Sequence, residues 1–101
     1  MLTINFDDKT EWWVSGAVFD RLFEAAVSSG AMPERLRLWQ HVANANGGFF
    51  PTGEPATDIN DFRSALQVTA QAELPGLASE GADWTYKISL EKLITAIERS
   101  E

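Results

Sequence analysis

Apolar and polar residues alternate from the first residues of the chain. Leu2, Ile4 and Phe6 are separated by Thr3 and Asn5, the period of a strand with one buried face. Asp7-Asp8-Lys9-Thr10 then supplies turn chemistry, because aspartate side chains bond nearby backbone amides. Glu11-Trp12-Trp13-Val14 reads as the return strand of a hairpin, since aromatic and β-branched residues suit a pleated surface. A competing reading starts a helix here, with Asp8 as N-cap and Glu11 in the capping-box position. The hairpin is preferred because Ser15-Gly16 interrupts such a helix, and Ser15 is itself a good N-cap.

From residue 17 to 29 the period lengthens. Val18, Phe19, Leu22, Phe23, Ala26 and Val27 recur at helical spacing, Asp20, Arg21 and Glu24 fall opposite, and Gly30 is a natural stop. Pro33 opens a second helix, over 33–44, at a position where a missing amide hydrogen costs nothing. Its apolar stripe is Leu36, Trp39 and Ala43, with Leu38 and Val42 beside it and His41 and Asn44 on the polar face. Residues 44–57 read as one long irregular connection containing Phe49 and Phe50. A third helix, 58–73, buries Ile59, Phe62, Leu66 and Ala70, takes Asp58 as N-cap and stops at Pro75-Gly76. Trp84, Tyr86 and Ile88 alternate with Thr85 and Lys87 and predict a strand over 84–88. Ser89 would then cap a last helix, 89–99, on Leu90, Leu93, Ile94 and Ile97.

A few strands separated by a helical block imply an α+β fold rather than alternating α/β. The expected architecture is a small antiparallel or mixed sheet, from strands near 2–6, 11–15 and 84–88, packed by the four helices. The 101 residues fit one domain. The centres of the four helical stripes, Leu22, Phe23, Trp39, Phe62, Leu66, Leu93 and Ile97, are the expected core.

Charge narrows the partners. The formal net charge is −7, and the acidic excess lies in residues 1–30 and 51–83. Such a surface repels phosphate backbones, so nucleic acid is not an expected partner and a basic protein is. There is no cysteine, which excludes disulfides and thiolate chemistry. The first eight residues lack the basic start and apolar run of an export signal, and no apolar stretch is long enough to span a membrane. A cytoplasmic location is the expectation.

No residue set makes a catalytic, metal or cofactor motif. His41 is the only histidine, and it sits among Glu34 and Arg37 on a polar helix face without a nucleophile motif nearby. Asp58, Asn60 and Asp61 begin like a calcium loop, but the sixth residue is Arg63 and the twelfth is Thr69, where glycine and glutamate are required. Gly47-Gly48 lacks the lysine and hydroxyl of a phosphate loop. Pairs drawn from Glu11, Asp20 and Glu24 are what any acidic chain offers. The chain is therefore expected not to be an enzyme and to need no cofactor.

The aromatic residues point elsewhere. Trp12 and Trp13 are adjacent, so in a strand they face opposite ways and one of them lacks a place in a one-sided core. Phe49 and Phe50 pose the same question, unless that loop folds back to close the core. The expected site is Asp7, Asp8, Glu11, Trp12, Trp13, Phe49 and Phe50, an aromatic patch with an acidic rim. It would bind a basic protein, as an acidic inhibitor or immunity-type protein does. One alternative is a small-ligand or regulatory domain with residues 44–57 as a lid; another is a homodimer formed by the same patch pairing with itself.

Overall fold

The computed structural model describes residues 1–7, 10–50 and 53–100. Strand β1 (Leu2–Asn5) pairs antiparallel with β2 (Glu11–Val14), with Leu2 opposite Val14 and Asn5 opposite Glu11. The hairpin reading of residues 11–14 therefore holds. Asp7 Oδ1 accepts the Thr10 amide at 2.7 Å, which ties the turn to the end of β1. Helix α1 (Gly16–Ser28) starts as expected: Ser15 is extended, and its Oγ accepts the Val18 amide at 3.2 Å. Val18, Phe19, Leu22, Phe23 and Ala26 form its buried face.

Pro33 leads into a short 3₁₀ turn, Glu34–Leu36, which runs on into α2 (Arg37–Asn46). Gly47 closes α2 in the left-handed region at φ 74°. A two-residue strand β3 (Gly48–Phe49) then pairs parallel with β1. Residues 44–57 are thus not irregular throughout: residues 44–46 end α2, Gly48–Phe49 form a strand, the next helix begins at Ala56, and Phe49 is buried. Gly48 makes the strand feasible, because a Cβ there would lie 2.4 Å from the Thr3 carbonyl oxygen. Only a residue without a side chain lets the two backbones approach this closely.

Helix α3 (Ala56–Glu73) starts two residues before the predicted position, with extended Pro55 at its N-cap and no side-chain cap. Asp58 is therefore not the cap. It lies in the first turn, where a carboxylate still complements the helix dipole. With Asp61 it also grips Arg35, at 2.8 Å each.

Helix α4 (Gly81–Ser100) overturns the strand predicted at 84–88 and the cap predicted at Ser89. Tyr86 lies four residues before Leu90, so it extends the buried stripe of Leu90, Leu93 and Ile97 by one turn. Trp84 and Ile88, also four apart, fall on a more exposed side. A five-residue alternation fits either period, and no breaker separates residues 84–88 from the helical pattern that follows. Tyr86 donates its hydroxyl hydrogen to Glu73 at 3.0 Å, and the Arg21 guanidinium lies 3.9 Å over its ring. Burial, then the Glu73 carboxylate, pushes the phenol up from its ordinary range.

Among the described residues the sheet has three strands in the order β2-β1-β3, and the fold is α+β. Leu2, Ile4, Trp12, Val14 and Phe49 turn inward and are buried with the helical stripes. Phe62 joins the elements: its ring centroid lies 6.1 Å from Phe6, 6.4 Å from Phe23, 5.2 Å from Trp39 and 5.5 Å from Phe49. All seven residues expected at the core are buried.

Candidate protein-binding face

The site follows from the period of the sheet. Because inner and outer residues alternate, Thr3 and Asn5 on β1 and Glu11 and Trp13 on β2 share the face away from the helices. Trp12 is 1% exposed and Trp13 58%, so the adjacent pair divides between core and surface. Trp12 reaches helix α4, where its Nε1–H donates to the Ser89 carbonyl at 2.9 Å. Phe49 stacks on Trp39 with centroids 4.5 Å apart. Phe50, the residue that follows β3, is 60% exposed.

The seven expected site residues thus separate. Trp12 and Phe49 belong to the core and leave the site. Trp13 and Phe50 stand exposed on the two flanks of β1. Glu11 is exposed beside Trp13, and Asp7 is exposed while holding the turn. Asp8 lies outside the described residues. Thr3 and Asn5, not singled out from the sequence, complete the face between the aromatics; the signal was present in their alternation with Leu2 and Ile4. Asn5 Oδ1 is shielded from solvent and has no hydrogen-bond donor among the described residues.

Several acids on the helices are paired with arginines. Arg37 binds Glu24 at 2.7 Å, Arg21 binds Asp83 at 3.1 Å, and Arg35 holds the α3 aspartates. Hydrogen bonds from Arg37 and then Gln40 hold the Glu24 carboxyl below its ordinary range. The Ala78 amide and then Arg21 do the same for Asp83. Glu11 makes no ion pair with any described residue.

Other candidates are weaker. His41 stays exposed on α2. Among the described residues no cluster of histidines and carboxylates could hold a metal ion, and no helix is long and apolar enough to cross a membrane. An open groove of about 440 Å³ between α1 and α3 is lined mainly by small residues such as Ala25, Gly30 and Ala72. Comparison of the chain with protein-family models, with curated proteins and with solved structures gives no match.

Proposed function

We propose that this domain is a non-enzymatic interaction module that binds a basic protein through the outer face of its sheet, in the manner of an acidic inhibitor or immunity-type protein. Trp13 is the centre of that face, Phe50 extends it across β1, and Glu11 and Asp7 form an acidic rim. The observation that supports this reading is the exposure of Trp13. An indole left in water on a sheet face forgoes the stabilisation that its burial would give, and aromatic anchors of this kind supply most of the affinity of protein interfaces. Glu11, which makes no ion pair with a described residue, and the net charge of −7 would speed encounter with a positive partner and suppress acidic ones.

The test uses the immobilised protein and its Trp13→Ala variant to capture proteins from the native host, followed by titration of the purified partner. Trp13 contributes little to the core, so the variant should unfold within about 0.5 kcal/mol of the parent. Its affinity should fall by more than about 1–2 kcal/mol, and raising the salt should slow association with the parent protein. Equal affinities for parent and variant would remove the outer face from consideration.

A further inference from the structure

The hairpin register settles which peptide groups of β2 point inward. The Phe6 amide donates to the Thr10 carbonyl at 3.0 Å, so that pair is hydrogen-bonded. In an antiparallel ladder bonded pairs alternate with non-bonded ones. With Ile4 opposite Trp12 and Leu2 opposite Val14, those two pairs continue the bonded set. Thr3 with Trp13, and Asn5 with Glu11, are then the non-bonded pairs, whose peptide groups turn away from the hairpin. The Thr3 side agrees: its amide donates to the Gly47 carbonyl at 3.2 Å, on the flank where β3 pairs. On the other flank no strand follows β2, and no backbone bond joins the Glu11 or Trp13 peptide groups to a described residue there.

We propose that this free edge of β2 takes an extended, basic segment of the partner as an added strand, paired through the peptide groups of Glu11 and Trp13. The inference rests on the outer-face reading above and specifies how the partner is held. Two residues with outward N–H and C=O groups offer four backbone hydrogen bonds, and side-chain positions on the same edge supply selectivity. A lysine or arginine set beside Glu11 pairs with a carboxylate that has no other partner among the described residues, and its neighbour two positions along lies against the Trp13 ring. Charge is what favours a foreign segment over a second copy of this chain. Self-pairing across β2 would bring together two chains of −7 each over a strand of only four residues, less surface than a stable dimer buries. Natural sheets protect their free edges with bulges, prolines or lysines, and Glu11-Trp12-Trp13-Val14 has neither proline nor lysine.

The experiment is amide hydrogen exchange by NMR on the full chain, alone and with a decapeptide of alternating lysine and valine. In the free protein the Glu11 and Trp13 amides should exchange much faster than those of Trp12 and Val14. With the lysine peptide, Glu11 and Trp13 should slow at least tenfold; an alternating glutamate and valine peptide should leave them unchanged. Peptide affinity should then be compared in Glu11→Gln, which removes the charge, and Glu11→Pro, which also removes the outward N–H without touching the ladder. Glu11→Pro should bind at least tenfold more weakly than Glu11→Gln. Equal binding by these two variants, or unchanged exchange at Glu11 and Trp13 under saturating lysine peptide, overturns strand addition. The outer-face reading would survive that result if Trp13→Ala still loses the protein partner. Protection that rises with protein concentration and no peptide would instead assign the edge to a second copy and overturn the proposal.

Discussion

Replacing Phe62 by alanine should be among the most damaging single changes in this domain. The ring is 1% exposed and touches aromatic rings from four other segments, at centroid distances of 5.2–6.4 Å. Truncation removes the transfer free energy of a buried benzyl group and leaves a cavity whose walls are held on different elements. Phe6 follows the first strand, Phe23 is on α1, Trp39 on α2 and Phe49 on β3, so no small local shift can close it. Phenylalanine-to-alanine changes in such sites cost about 3–5 kcal/mol, against a total stability of about 5–15 kcal/mol for a typical domain. With a urea slope of about 1.5 kcal/mol per molar, a loss of about 4 kcal/mol lowers the unfolding midpoint by roughly 2.5 M. Urea titration followed by tryptophan fluorescence measures it. Leu38→Ala is the control: Leu38 is 65% exposed on α2, and its loss should stay within about 0.5 kcal/mol. A Phe62→Ala variant within about 1 kcal/mol of the parent would refute this account of the core.

Two further outcomes follow from the geometry. Gly48→Ala should destabilise by about 1–3 kcal/mol in the same assay, the usual cost of overpacking, because the new methyl meets the Thr3 backbone oxygen at 2.4 Å and neither strand can yield without breaking the pair; an unchanged midpoint would mean that β3 does not sit against β1. Stability should also fall in acid: Glu24 and Asp83 have folded-state pKa values below their ordinary values of 4.5 and 3.8, so their contributions are present above those values and are lost as pH falls through the folded ones. Urea midpoints measured from pH 7 to pH 2.5 should decline below about pH 4.5, less steeply in Glu24→Gln, and an identical slope in that variant would discount the Arg37 pair.

The fold was legible in the sequence where one local signal had no rival. Ser15, the Val18-to-Ala26 stripe and Gly30 all mark the same helix, and the first hairpin follows from alternation around an aspartate turn. It was not legible where the deciding contact is distant in sequence. Trp84 to Ile88 alternate well enough for a strand, and what makes them helical is the continuity of Tyr86 with Leu90 and the packing of its hydroxyl against Glu73 on α3. Gly48 and Phe49 gave no strand signal, because two residues have no period. Their strand exists because Phe49 fills the space beside Trp39 and Phe62 while a glycine allows the backbone to close on Thr3. Asp58 shows a related effect: Pro55 starts the helix by its fixed φ, and the aspartate, cap-like in sequence, is occupied with Arg35.

The division of the tryptophan pair links the fold to the proposed site. Strand geometry requires that one of Trp12 and Trp13 leave the core, and the sequence alone does not say which. The choice is made at the far end of the chain. The helix over Gly81–Ser100 lies against β2 on the inner side, where the Ser89 carbonyl accepts the Trp12 indole. That bond holds Trp12 on the inner side, and the period of the strand then places Trp13 on the open face beside Glu11. A substitution that weakens the packing of α4 under β2 should then disturb the proposed binding face without touching any residue on it. This coupling is checked by the Trp13 amide and indole resonances of a Leu90→Ala variant. Leu90 is fully buried one residue from Ser89, so resonances that stay at their parent positions in the folded variant would show that β2 holds its register without α4.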